Sequence, residues 1–147
     1  MGFNTRDQTD LSLHHVGIVV PNIAEKRRFY VEQLGYCERT AVIHDPLQTA
    51  YVQFFSIPGN DHYLELVAPD SENSKLLNAS RKGIPLNHLC YACDDIAATF
   101  DRLWNAGCYR ISPPTPAVAF EGRPVAWLLS ADKLLIELVQ RGGLGSL

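Results

Sequence analysis

The sequence predicts an α+β fold built from two tandem βαβββ modules around a sheet-lined cleft. Three observations carry this expectation. An apolar run that opens on a histidine occurs twice: His15 leads Val16-Gly17-Ile18-Val19-Val20, and His88 leads Leu89-Cys90-Tyr91-Ala92. Each is followed, 50 and 49 residues later, by a glutamate inside a strand-like run, Glu65 in Leu64-Glu65-Leu66-Val67 and Glu137 in Ile136-Glu137-Leu138-Val139. Between them, the order strand, helix, three strands is repeated. A carboxylate in mid-strand costs free energy unless it is paired or bound to a metal. A lone histidine at a strand start is ordinarily a satisfied core or edge residue, but the duplication would require that bland account four times over. The cleft is therefore expected to contain one metal ion, held by His15, Glu65, His88 and Glu137.

The elements follow in order. Residues 13–20 are apolar and β-branched, and Pro21-Asn22 breaks the run. Residues 23–34 set Ile23, Phe29, Tyr30 and Leu34 on a mostly charged background before Gly35, which is an amphipathic helix with a glycine stop. Strands are expected over 36–43, 51–57 and 63–67, separated by the turn Pro58-Gly59-Asn60-Asp61 and closed by Pro69-Asp70. The second half repeats the pattern: a strand over 86–93, an Asp94-Asp95 cap, a helix over 96–105 ending at Ala106-Gly107, and strands over 109–112, 124–130 and 134–140, with a proline-rich loop over 113–116. The chain thus divides into an N-terminal segment 1–11, a first module 12–70, a connector 71–85 with a short helix around 74–80, a second module 86–141 and a glycine-rich tail 142–147. The modules make one domain, and both ends are expected to be flexible.

A βαβββ unit leaves one sheet face uncovered, so two must pair to bury it. With His15 and Glu65 inward, period-two alternation also turns Gly17, Val19, Tyr63 and Val67 inward, and in the second module Cys90, Leu135 and Val139. Cys90 and Cys93 spell C-x-x-C, but on a strand they point to opposite faces. They are expected, like Cys37 and Cys108, as free thiols.

At 147 residues and 46% hydrophobic, the chain can build one well-cored domain. A net charge of −3 with scattered basic residues leaves no electrostatic footprint for nucleic acid. No apolar stretch approaches the roughly 20 residues that span a bilayer, and residues 1–10 lack a signal-peptide pattern. A cytoplasmic protein with a small-molecule substrate is expected.

These motifs resemble the vicinal oxygen chelate superfamily, which includes glyoxalase I, methylmalonyl-CoA epimerase, the extradiol dioxygenases and the fosfomycin and bleomycin resistance proteins. The resemblance covers about residues 12–141 and runs most closely to the epimerase through Leu86-Asn87-His88-Leu89-Cys90-Tyr91, Asp94-Asp95-Ile96 and Phe120-Glu121-Gly122-Arg123-Pro124-Val125. Carried over position by position, it implies His15, Glu65, His88 and Glu137 as ligands of one divalent ion (Zn, Co, Ni, Mn or Fe). It implies Glu137, with Glu65, as the catalytic carboxylates. The activity implied is removal of an α-proton from a carboxylate or thioester substrate through a metal-stabilised enediolate, in a homodimer.

Three departures qualify that activity. The glutamate that serves the epimerase as a base falls at Leu47 here, followed by Gln48. The arginine that glyoxalase I carries four residues past its first ligand falls at Val19. The extradiol dioxygenases hold iron with two histidines and one glutamate, and Glu65 would fill a position that oxygen chemistry needs. A glyoxalase I-like lyase (lactoylglutathione lyase type) and a non-catalytic, bleomycin-resistance-like binder remain as alternatives. The aromatic residues Tyr51, Phe54, Phe55, Tyr63 and Trp127 keep the binder in view.

Overall fold

The computed structural model describes residues 10–147, so most of the expected N-terminal segment lies outside the described residues. The elements are β1 (Ser12–Val19), α1 (Ile23–Arg28), β2 (Cys37–Glu38), β3 (Ile43–Asp45), β4 (Ala50–Ser56), β5 (Tyr63–Pro69), α2 (Leu77–Arg81), β6 (Leu86–Cys93), α3 (Ile96–Asn105), β7 (Tyr109–Pro116), β8 (Pro124–Leu129) and β9 (Leu135–Gln140). Among the described residues the strands form one mixed sheet in the order β2-β4-β5-β1-β6-β9-β8-β7, with β3 added on β4. The two modules join edge to edge through the antiparallel β1/β6 pair. Each module also contributes one parallel pair, β1/β5 and β6/β9. The four strands at the centre of the sheet, β5, β1, β6 and β9, are the four that carry Glu65, His15, His88 and Glu137.

Alternation along these strands sorts the apolar residues onto two faces. Helix α1 covers the outer face of the first module over Val20, Phe55, Leu64 and Leu66. Helix α3 does the same for the second over Cys93, Ala126, Leu128 and Leu138. The inner face is shared: Val52, Phe54 and Val67 from one module pack with Cys90, Val125 and Val139 from the other. Cys90 and Cys93 therefore lie on opposite faces, and all four cysteines are free thiols. Both helices start on a side-chain cap, Asn22 accepting from the Glu25 N–H and Asp95 from the Ala98 N–H. Helix α1 widens into a single π turn over Phe29–Gln33 before Gly35 ends it at φ 81°.

Two elements differ from the sequence expectation. The strand expected over 36–43 is split into β2 and β3, because Thr40 takes over the ladder between them: its hydroxyl accepts from the Phe54 N–H, and its carbonyl accepts from Gln53 Nε2. Strand β7 runs on through Pro113, Pro114 and Pro116, where the sequence predicts a loop. It lies at the sheet edge, where proline costs no ladder partner, and its register to β8 is broken twice. In the tail, Arg123 donates from Nη1 to the Gln140 carbonyl and from Nη2 to that of Leu147, whose side chain packs on the inner cluster. No helix among the described residues is long and apolar enough to cross a membrane.

Candidate metal centre and its cavity

The four residues singled out by the internal repeat come together at the sheet centre, and all are buried. His15 Nε2 lies 3.1 Å from His88 Nε2. Glu65 Oε1 is 3.5 Å from His15 Nε2 and 3.3 Å from His88 Nε2. Glu137 Oε1 is 3.2 Å and 4.0 Å from the same two nitrogens. Ligands about 2.1 Å from one ion stand roughly 3.0 Å apart at right angles and 3.4 Å apart at tetrahedral angles. The separations among His15, Glu65 and His88 match such a set, whereas Glu137, at 4.0 Å from His88 Nε2, stands wider and would have to close in to join it. The Glu137 Oε1 atom is buried and completes no hydrogen bond, a cost that coordination would remove. Two imidazoles with two carboxylates are a donor set for a borderline divalent ion, so the residues present fit the group that the sequence implies.

Charge is balanced by proximity. Burial opposes a proton on His15, but the Glu65 and Glu137 carboxylates outweigh it and raise its pKa to about 9. Burial likewise opposes charge on Glu65, yet His15 and His88 hold its carboxyl well below the usual carboxylate range. Without an ion the cluster therefore holds a proton between imidazole and carboxylate. Cys90 lies opposite Glu137 in the β6/β9 register. Burial, reinforced by Glu137, pushes its thiol well up and keeps it neutral.

Gly17 makes the site possible. It is the register partner of Glu65 on one side and of His88 on the other. A Cβ there would fall 2.1 Å from His88 Cε1, so only glycine leaves room for the imidazole. On the far side the Trp127 ring meets His88 edge-on, with centroids 4.8 Å apart. Glu65, His88 and Glu137 open onto a cavity lined also by Asp45, Gln48, Asn87 and Trp127, while His15 is fully buried behind them. The cavity widens outward past Leu47, Leu76, Ile111 and Leu135. Leu47, at the position expected for an epimerase base, is exposed along this wider part. Of the aromatic residues considered for a binding surface, Trp127 lines the cavity, whereas Phe54 and Phe55 are fully buried core.

Sequence reasoning missed His14, Asn87 and Asp45. His14 and Asn87 were legible as a signal: each makes two consecutive polar residues inside an apolar strand, one of which regular alternation would turn onto the apolar, helix-covered face. Asp45 had no such mark.

Comparison with known proteins agrees with this geometry. The chain is 32% identical over 132 residues to the ethylmalonyl-CoA/methylmalonyl-CoA epimerase of Cereibacter sphaeroides, covering 87% of this chain and 96% of that one. It is 28% identical to the mitochondrial methylmalonyl-CoA epimerase of Dictyostelium discoideum, covering 88% and 78%. The crystal structure of methylmalonyl-CoA epimerase from Mycobacterium tuberculosis shares the fold with a TM-score of 0.82 at 22% identity, over 97% of this chain and 94% of that one. Residues 14–127, which hold three of the four converging side chains, match the pattern of one family, and on that match the chain belongs to the Glyoxalase/Bleomycin resistance protein/Dioxygenase superfamily.

Proposed function

We propose that the protein is a divalent-metal-dependent epimerase of the methylmalonyl-CoA type, which removes and replaces the proton on a carbon between a carboxylate and a thioester. The observation that carries this reading is the convergence of two imidazole nitrogens and two carboxylate oxygens on one cavity. Kinship with an epimerase over nearly its whole length supports the substrate class. An ion held by His15, Glu65, His88 and Glu137 would supply Lewis-acid polarisation of two neighbouring substrate oxygens, which acidifies the carbon between them.

The chain's own residues do the rest. Glu137 is the more loosely placed carboxylate: its Oε1 stands 4.0 Å from His88 Nε2, where that of Glu65 stands 3.3 Å away. It is the group suited to swing from the ligand set and take the α-proton, with Glu65 remaining in place. Inversion needs a second base on the opposite face of the carbon, and Leu47 cannot supply it. Asp45, two residues earlier, is buried and lines the same cavity as Glu137, its Oδ1 fixed by the Leu47 and Gln48 N–H groups. We assign it, in its protonated form, the delivery of a different proton to that face, while Glu137 keeps the one it removed; the two carboxyl groups exchange roles in the reverse direction. The apolar lining limits water around the exchanging proton. We further read the chain as cytoplasmic and as a homodimer, the second supported by the exposed apolar Ile84 and, at the start of β6, Leu86.

A glyoxalase I-like lyase is the second reading, favoured by Leu47, because a proton shift along one face needs one base. The test is α-proton exchange in D2O with each candidate ion, offered methylmalonyl-CoA and, separately, a glutathione–oxoaldehyde adduct. Metal-dependent exchange with inversion of the thioester is expected. Turnover of the thiol adduct alone would replace the epimerase by the lyase.

A further inference from the structure

Each ligand histidine follows a residue that the strand pairing skips. Across β1 and β6, Leu13 faces Tyr91 and His15 faces Cys90, which leaves His14 as an extra residue on β1. Further along, Gly17 faces His88 and Ile18 faces Leu86, which leaves Asn87 as an extra residue on β6. These are β-bulges, and a bulge re-aims a side chain that regular alternation would send to the other face. His14 is accordingly buried against Phe54 and Phe120, the same two rings that flank His15. Asn87 lines the cavity beside His88. Each then reaches the same atom of the residue that follows it: His14 Nδ1 lies 2.8 Å from His15 Nδ1, and Asn87 Oδ1 lies 2.7 Å from His88 Nδ1.

We propose that His14 and Asn87 are a matched pair of positioning residues, one in each module, whose bulges aim them at Nδ1 of the next histidine so that its Nε2 lone pair faces the metal centre. The inference rests on the metal-dependent reading above and extends it beyond the four ligands. An imidazole that binds an ion through Nε2 keeps its proton on Nδ1. The Asn87 amide oxygen can only accept, so it selects that tautomer at His88 and holds the ring plane. His14 can accept at Nδ1 only while its own proton sits on Nε2. That nitrogen is buried and completes no hydrogen bond among the described residues. His14 also lines a cavity together with Arg123 and Leu147. The two modules thus reach one result with different side chains. Both rings point their Nε2 atoms inward, which is where those atoms meet at 3.1 Å.

The experiment titrates wild type, His14→Phe, His14→Asn and Asn87→Leu with Co2+ and with Zn2+ against a competing chelator, and melts each protein metal-free. Loss of such a partner typically weakens metal binding about 10- to 100-fold. That loss is expected for His14→Phe and for Asn87→Leu. His14→Asn gives the first module the acceptor of the second, and it should bind close to wild type. If His14→Phe lowers the metal-free melting temperature, His14→Asn and Asn87→Leu decide the matter, since neither leaves a large void. Wild-type affinity in Asn87→Leu, or His14→Asn binding as weakly as His14→Phe, would overturn the inference while wild type still binds the ions. Failure of wild type to bind either ion would overturn the metal-dependent reading, and this inference with it.

Discussion

At the scale of single residues, the four converging side chains divide their work by geometry. Glu65 and Glu137 meet the same two imidazoles, but Glu137 carries the buried oxygen without a hydrogen bond. With the ion saturated, Glu137→Gln is expected to abolish α-proton exchange in the epimer whose proton faces Glu137, leaving only the exchange through Asp45 in the other. Glu65→Gln should retain part of the exchange at Glu137, since an amide oxygen still ligates; equal losses in both would show that neither is the unique base on that face. Asp45→Asn separates exchange from inversion. Solvent deuterium should still enter the substrate through Glu137, while interconversion of the two epimers slows at least tenfold, on the order of the loss of one general base. Unchanged inversion would remove Asp45 from the reaction. Gly17→Ala tests the cradle. Its new methyl would meet three atoms of the His88 ring at 2.1 to 2.6 Å, and that ring is held by Asn87 on one side and Trp127 on the other. Overpacking of this kind costs about 1–3 kcal/mol. Denaturant unfolding should show that loss, and ion titration a weaker site; a variant like wild type in both would mean that the ring can move freely.

At the scale of elements, the outer helices and the inner strands carry separate burdens. Helices α1 and α3 pack on the outer clusters, on the face opposite the ligands. Asn22→Ala and Asp95→Ala each remove a cap, at a cost of about 1 kcal/mol in stability, and both should leave metal affinity unchanged; a shift in affinity would mean that the two faces are coupled. The same separation accounts for what the sequence made legible. Strand β6 and helix α3 were readable to the residue because the apolar run of the one and the amphipathic period of the other are bounded by Asp95 and Gly107. The four converging side chains were readable because a carboxylate inside an apolar strand is costly until a cation or an imidazole sits beside it. Strands β2 and β3 were not, since a threonine side chain interrupts the ladder where composition still reads as strand. Nor was the full length of β7, because prolines signal a loop unless the strand is known to lie at an edge. The bulges at His14 and Asn87 sit between these cases: the doubled polar residues were visible, but their direction depends on pairing between β1 and β6, which is 70-odd residues distant in sequence.

At the scale of the whole molecule, the candidate metal centre lies on the seam between modules. Each module supplies one imidazole and one carboxylate, so the site can be complete only when β1 and β6 are paired. Ion binding and closure of the inner face should therefore stabilise one another. The metal-free protein then has a pH dependence that the loaded protein lacks. His15 has a folded pKa of about 9 against 6.5 for an ordinary histidine. A raised folded value means that its contribution is full below 6.5 and is lost as pH rises through 9. Glu65 is held below the ordinary value of 4.5, so its contribution is full above 4.5 and is lost as pH falls further. Chelator-treated protein should therefore melt highest between pH 4.5 and 6.5 and fall by several degrees as pH is raised toward 9. An ion takes the place of the His15 proton, and its binding strengthens as that proton becomes easier to remove. Metal-saturated protein should thus hold its melting temperature across the alkaline range, and the gap between the two forms should widen with pH. A metal-free melting temperature that stays flat through the same range would show that the proton shared by His15 and the two glutamates does not hold the seam together.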